Sequence, residues 1–363
     1  MLNYQPGEEE ISDRLRAAVA DVFEVRDVAV GHPGGAVRLR GRLFIEPSQA
    51  YELVAPRLRM LGYTALFRKQ GDLDVILAIP GTIPVSPSRP WINVLLFLAT
   101  LASTIYVGAG MVEPGQPPSL ATGLQFAGSL LTILLAHELG HYFVARRHGV
   151  AVSLPYFIPM PNLLGTMGAF IRMKTPPLNR RAMVAIGAAG PLAGFLLAVP
   201  ILILGLSLSE VKPIPIGGPG FILMEGNSLL YAALKILMFG RFLPQGGIDV
   251  FLHPIAFAGW AGLMVTGLNL IPADQLDGGH VAYALLGERA RYLTWGIIAA
   301  LIALGFLWNG WFLWAGLIYL FGRRHARPFD DITDLDGPHR ALAILVLIVF
   351  ALTFCPIPMS IVQ

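Results

Sequence analysis

Seven apolar runs divide most of residues 91–358: Trp91–Val112, Ser119–Val144, Ala182–Leu208, Leu252–Ile271, Tyr292–Leu307, Trp311–Phe321 and Leu342–Phe354. Runs of about 20 apolar residues suit helices that cross a bilayer, because a helix satisfies its backbone polar groups internally where water cannot. The sixth run is short, but the succession is not that of a water-soluble domain. Across the 363 residues, 55% are hydrophobic and only 13% are charged, which excludes an ordinary soluble globular protein. The formal net charge of +3 is small, and the basic residues sit in short loops beside apolar runs. That pattern indicates membrane orientation and no nucleic-acid partner.

Arg89, Arg146, Arg147, Arg180, Arg181, Arg289, Arg291, Arg323, Arg324, Arg327 and Arg340 fall on one side of the expected topology. The loops around 113–118 and 209–224 offer little beyond Lys212. The positive-inside rule then places the N-terminal region in the cytoplasm. Ser228–Phe239 is apolar but short, is flanked by Glu225 and Arg241, and contains Lys235. It is expected on the membrane surface, since a crossing there would reverse every later segment.

Residues 1–79 differ, with dense charge, short alternating segments and no run long enough to span. Ile11–Val25 reads as an amphipathic helix. Ala36–Ile45 alternates, with Val37, Leu39 and Leu43 on one face and Arg38, Arg40 and Arg42 on a face expected to be solvated. Thr64–Arg68 and Asp74–Ile79 form a second strand pair turned at Gln70-Gly71-Asp72. Between the pairs, Ser48–Leu61 reads as a helix capped by Ser48 and interrupted by Pro56. The sum is a small soluble α+β domain, followed by a stiff linker over 80–90 that holds four prolines. The polar stretch Gln5–Arg16 has no charged-then-apolar leader, so no cleaved signal peptide is expected.

Inside the second apolar run stands His137-Glu138-Leu139-Gly140-His141. Residues four apart share a helix face, so both histidines can bind one metal ion with Glu138 close enough to take a proton from water. Ionisable residues within a span are costly, which points to function. Cys355 is the only cysteine, so a disulfide framework and a cysteine-ligated zinc site are both excluded. The third ligand is sought in Asn269-Leu270-Ile271-Pro272-Ala273-Asp274-Gln275-Leu276-Asp277-Gly278-Gly279-His280, where a carboxylate after the proline break can project back. Asp277 is the expected ligand. Asp274 and His280 compete with it on chemistry, and spacing does not separate the three.

Val152–Met173 is apolar but contains Pro155, Pro159, Pro161, Gly165 and Gly168, so it cannot be one helix. A re-entrant hairpin over 152–173, folded against the metal site, would satisfy its backbone and leave an edge able to pair with an extended peptide. Ile186–Gly194 is rich in small residues, and Gly190 and Gly194 have the spacing of close helix contacts, which implies packing and no ligand role.

The pairing of His-Glu-Leu-Gly-His with Asn-Leu-Ile-Pro and Leu-Asp-Gly-Gly resembles the site-2 protease family of intramembrane zinc metalloproteases. The N-terminal domain and the Pro328–Pro358 region look most like the branch of chloroplast membrane proteases and their bacterial relatives. The resemblance covers about residues 91–358 and includes Gly165-Thr166-Met167-Gly168-Ala169. It departs at Ala185, where relatives often carry an acidic residue. It implies that His137, His141 and Asp277 bind Zn2+, that Glu138 is the general base, and that Asn269 lies near the reacting carbonyl.

The expected fold is therefore a polytopic α-helical membrane protein of about seven spans over 91–363, with a buried zinc site and a small soluble α+β N-terminal domain. The implied function is intramembrane zinc-dependent hydrolysis of peptide bonds in or near the transmembrane segments of membrane-anchored proteins. A bacterial plasma membrane is the first expected location and a plastid membrane the second. A zinc transporter would need polar ligands through several spans, and an inactive membrane adaptor would not need Glu138. His253 is expected at the lipid interface, and His148, His325 and His339 in solvent. Asp330, Asp331, Asp334 and Asp336 lack the spacing of a calcium loop and are expected in an acidic cytoplasmic loop.

Overall fold

The computed structural model describes residues 8–32, 35–84, 87–112, 115–214, 222–321 and 327–362. Val85 and Ser86 of the linker lie outside the described residues, as do Arg323, Arg324 and His325.

The N-terminal alternation resolves into α1 (Glu8–Val19), β1 (Phe23–His32), β2 (Ala36–Leu43), α2 (Pro47–Met60), β3 (Tyr63–Gln70) and β4 (Leu73–Pro80). The strands form one antiparallel sheet in the order β1-β2-β4-β3. Val37, Leu39, Phe67, Ile76 and Ala78 of the sheet are buried with Leu15 and Val19 of α1 and Val54 and Leu58 of α2. The first helix is shorter than the expected Ile11–Val25. Phe23-Glu24-Val25 instead enters β1, with Phe23 opposite Leu43, because strand pairing outweighs helical propensity there.

Ser48 does not cap α2. Glu46 takes the N-cap position, Pro47 opens the helix, and the Ser48 hydroxyl donates to the Glu46 carboxylate. Pro56 stays inside α2 without ending it. On the arginine face, Arg40 and Arg38 meet Asp27 of β1 at 3.1 and 3.5 Å, and Arg42 is exposed.

Beyond the linker the order is α3 (Pro90–Ala109), α4 (Leu120–Arg147), β5 (Tyr156–Pro159), β6 (Thr166–Phe170), α5 (Arg180–Ser207), β7 (Glu210–Pro213), β8 (Ile222–Glu225), α6 (Leu229–Phe239), β9 (Ile248–Phe251), α7 (Pro254–Asn269), α8 (Asp277–Leu286), α9 (Ala290–Gly305), α10 (Gly310–Phe321), α11 (Gly337–Thr353) and β10 (Met359–Val362). Each apolar run is helical, and α8 is a helix that no run anticipates. Among the described residues three helices, α3, α4 and α5, are long and apolar enough to cross a membrane.

Helices α4, α5 and α7 form the centre. Gly140 of α4 faces Ala189 and Ala193 of α5, Gly205 of α5 faces Ala256 of α7, and Gly259 of α7 faces Leu202. The residue order makes α5 antiparallel to α7, and contact of α7 with the same stretch of α4 leaves α4 and α7 parallel. This arrangement limits what α6 can do. β7 leaves the end of α5 and pairs with β9 at the start of α7, with Glu210 opposite Phe251, so the intervening chain returns to the level it left. With 11 residues, α6 is about 16 Å long, half the thickness of a bilayer's hydrocarbon, and it does not reverse the chain.

β5 and β6 pair as an antiparallel hairpin, and a bridge between Val152 and Met173 closes it. The hairpin lies along α3. Asn93 Nδ2 donates to the carbonyls of Leu154 and Pro155 at 2.9 Å each, and Phe157 meets Phe97 edge-on. At the other end Gly165, with φ +74°, abuts α3 so closely that a Cβ would lie 2.6 Å from the Thr104 Cα. Asn93 and Thr104 are about 16 Å apart along the helix, so the hairpin runs lengthwise beside α3.

Residues 328–333 are not the expected acidic loop in solvent, since Asp330 and Asp331 are buried. The segment runs between β3, an edge strand, and residues 177–179. Phe67 N donates to Phe329 O and Asp331 N to Phe67 O, while Phe329 N and Asp330 N donate to the carbonyls of Pro177 and Leu178. An unpaired sheet edge is the physical reason for this strap. Phe329 stacks on Tyr51, and Leu178, Phe329 and Ile332 pack against the core of the N-terminal sheet. Asp336 caps α11 and holds the His339 ring, leaving Asp334 exposed.

Candidate metal centre

The histidine pair stands in the second half of α4, with His137, Glu138 and His141 all buried. His137 Nε2 and His141 Nε2 are 3.2 Å apart, and Asp277 Oδ2 lies 3.3 Å from the first and 3.2 Å from the second. A tetrahedral zinc ion with bonds of about 2.0–2.1 Å to nitrogen and oxygen spaces its ligand atoms about 3.3 Å apart. The three atoms therefore fit one face of a zinc tetrahedron and leave the fourth corner open. Among the described residues this is the group of histidine, cysteine and carboxylate atoms able to hold a metal ion.

The tautomer of His141 follows from its other nitrogen. Nδ1 is 2.8 Å from the carbonyl oxygen of Ile186 on α5 and must donate its proton there, which turns the Nε2 lone pair towards the centre. Asp277 reaches the centre because α8 starts abruptly. A Cβ on Gly278 would lie 2.0 Å from the Leu270 carbonyl oxygen, and one on Gly279 would lie 2.4 Å from that of Asp274. Only glycine at these two positions lets the helix fold back on the turn that follows α7. Asp274 sits in that turn, buried and with φ +43°, and is not part of the metal group. His280 lines the same cleft, but its ring is not in the group.

The cleft holds about 490 Å³ and is lined by the three candidate ligands, Glu138, Asn269 and the segment Ala169–Met173. Ile171, just past β6, lines this cleft together with Glu138, so the strand end of the hairpin borders the candidate base. Asn269, the last residue of α7, places Nδ2 3.4 Å from His137 Nε2. His253 is remote, capping the start of α7 by accepting from Ile255 N.

The small residues of α5 have a more specific task than helix packing in general. A Cβ on Gly190 would lie 2.1 Å from His141 Nε2, and one on Gly194 would lie 3.2 Å from His137 Nδ1. The glycines give the two imidazoles room against α5.

Residues 125–308 match the model of peptidase family M50, which spans just over half of the chain and both motifs. The chain belongs to peptidase family M50. It is similar to the probable zinc metalloprotease EGY2, chloroplastic, of Arabidopsis thaliana, 32% identical over 351 residues that cover 90% of this chain and 61% of that protein. It is also similar to the probable zinc metalloprotease EGY1, chloroplastic, of Arabidopsis thaliana (30% over 307 residues, 75% and 54%). A third relative is the probable zinc metalloprotease EGY3, chloroplastic, of Oryza sativa subsp. japonica (28% over 291 residues, 74% and 49%). This M50 chain spans 61% or less of the length of these relatives. No solved structure matches it.

The sequence left the Ile186 carbonyl and the glycine seats unassigned. A signal for the seats was present. Gly190 and Gly194 are four apart, as are His137 and His141, and two antiparallel helices with the same spacing can set one pair against the other.

Proposed function

We propose that this M50 chain is a membrane-embedded zinc metallopeptidase that cuts membrane-anchored proteins within or near their transmembrane segments. The observation that carries the reading is the triangle of His137 Nε2, His141 Nε2 and Asp277 Oδ2 with Glu138 in the same buried cleft. Zinc held there would supply Lewis-acid polarisation of a peptide carbonyl and of water. Glu138 takes the proton of the attacking water and returns it to the leaving amine. Asn269 donates to the carbonyl oxygen as negative charge builds on it. Ile186 keeps His141 in its ligating tautomer throughout.

Membrane insertion is supported by where the apolar side chains lie. Leu95, Leu98, Leu124, Leu196, Leu204 and Ile348 are exposed on the outer faces of apolar helices, an unfavourable arrangement in water. With α3, α4 and α5, the shorter helices α7, α9, α10 and α11 complete the proposed set of about seven spans over 91–363. Residues 1–79 are read as a soluble unit on the cytoplasmic side, joined by the linker 80–90 and seated by the strap. The free edge of β6 beside Glu138 suits a substrate in extended form, since a helix hides its carbonyls in internal hydrogen bonds. The chloroplastic names of the relatives favour a plastid membrane, and the bacterial plasma membrane draws no support from them.

The test is Glu138→Gln in the full chain purified in detergent, with metal content and cleavage of an extended fluorogenic peptide measured together. The expected result is zinc retained and turnover reduced by about 10²–10⁴-fold, the usual contribution of a positioned general base. Undiminished cleavage would sink the reading.

A further inference from the structure

The metal centre depends on two helices besides α4. α5 supplies the Ile186 carbonyl that orients His141, and α8 begins with Asp277. The two meet closely at Gly187, where a Cβ would lie 3.3 Å from the Asp277 carbonyl oxygen. Further out, a single side chain from the strap joins them. Asp331, 8% exposed, accepts from Arg180 Nε of α5 at 2.9 Å through Oδ1 and from the Tyr283 hydroxyl of α8 at 2.8 Å through Oδ2. Gly287, just past α8 and with φ +59°, leaves space for the Arg180 guanidinium, since a Cβ there would lie 3.0 Å from Nη2.

We propose that Asp331 is a positioning residue for the metal centre, a brace between α5 and α8 that keeps the Ile186 carbonyl and Asp277 in register around His141. The inference rests on the zinc reading above. A buried carboxylate with an arginine on one oxygen and a hydroxyl on the other is fully satisfied and directional, so it fixes a distance between the elements that hold its partners. The brace is itself anchored on the N-terminal sheet. Asp331 N donates to Phe67 O, and Arg68 Nη1 donates to the carbonyls of Phe67, Pro328 and Phe329. The seating of the sheet and the geometry of the centre thus meet at one carboxylate.

The neighbouring aspartate provides the contrast. Asp330 is buried more deeply still, but its carboxylate accepts from within the strap, from Ile332 N, Thr333 N and the Thr333 hydroxyl. That carboxylate serves the strap's own fold and bonds no side chain of α5 or α8, although the Asp330 backbone bridges Asn179 at the start of α5.

The experiment uses the full chain in detergent, with zinc affinity measured by chelator competition and the melting temperature of the metal-free protein measured alongside. Asp331→Asn and Tyr283→Phe are each expected to weaken zinc binding about tenfold, the lower end of the loss seen when an outer support of a metal ligand is removed. The double variant should lose little more than the worse single one, because both remove the same brace. Asp330→Ala should lower the melting temperature and leave zinc affinity unchanged. If Asp331→Asn does not fold, Tyr283→Phe, which removes one hydroxyl, decides the matter. Unchanged affinity in Tyr283→Phe and in any folded Asp331→Asn, or an equal loss in Asp330→Ala, overturns the brace. A wild-type chain that takes up no zinc overturns the metal reading instead, and the brace with it.

Discussion

Two buried polar clusters stand in the apolar body, and they are built in opposite ways. Lys235 of α6 is fully buried, 3.3 Å from a Glu225 oxygen and 3.4 Å from an Asp249 oxygen. The Tyr231 ring lies 4.6 Å from its ammonium, and the Tyr231 hydroxyl donates to Glu225. This cluster contains its own cation. At the metal centre, by contrast, three lone-pair donors converge within 3.3 Å of one another and a further carboxylate shares the cleft. Bringing acceptors together without a cation is unfavourable in a low dielectric, so the second cluster is a receptor for one and the first is complete without it. Zinc affinity is the measurement that separates the two.

The largest effect on that scale is expected from Asp277→Ala. Four ligands hold a structural zinc with about 10–16 kcal/mol, so one ligand's share corresponds to an affinity loss on the order of several hundredfold. Metal analysis after dialysis should find Asp277→Ala depleted of zinc, with Asp274→Ala and His280→Ala still loaded. Zinc retained by Asp277→Ala but lost from Asp274→Ala would move the third ligand into the turn.

Gly190→Ala should come next. The new methyl would meet the His141 ring at 2.1–2.6 Å, too close for the ring where it stands, so the imidazole must leave its position. A loss of about 10–100-fold in zinc affinity is expected, as for other disturbances of a ligand's support. Gly296→Ala in α9 is the control, because open space surrounds that position and alanine favours a helix. Equal behaviour of the two variants in chelator competition would remove the glycine seat from the account.

What was legible in the sequence divides along similar lines. The apolar runs, the hairpin of Val152–Met173 and the pair His137 and His141 could be read because each rests on a local signal: period, proline content, or donor atoms at helical spacing. The choice among Asp274, Asp277 and His280 could not be made from spacing, since it depends on how tightly Gly278 and Gly279 let α8 fold back. Asp330 and Asp331 misled for a related reason. Four aspartates in seven residues read as a solvated loop, yet their partners Phe67, Leu178, Arg180 and Tyr283 lie far away in sequence. The end of α1 at Val19 is a smaller instance, in which pairing with a strand not yet reached in the chain overrode local helical character.

The smallest effect on zinc, and one of the larger effects on stability, is expected from Lys235→Met. The change leaves Glu225 and Asp249 buried without their cation, and breaking a buried ion pair from one side typically costs about 3–5 kcal/mol. Zinc affinity should not change, because none of Glu225, Tyr231, Lys235 and Asp249 lines the metal cleft. The loss should also depend on pH. Burial already pushes the Glu225 carboxyl above the ordinary glutamate range, and removing Lys235 takes away the charge that opposes this. A carboxyl with a raised pKa in the folded chain binds its proton more tightly there than when unfolded. Its stabilising contribution is therefore present at low pH and lost as pH rises through the raised value. Melting curves should show the gap between Lys235→Met and wild type narrowing as pH falls, with Glu225→Gln in the same background recovering part of the loss at neutral pH. Zinc released from Lys235→Met at temperatures where the chain stays folded would mean that the two clusters form one network, and the contrast between them would fail.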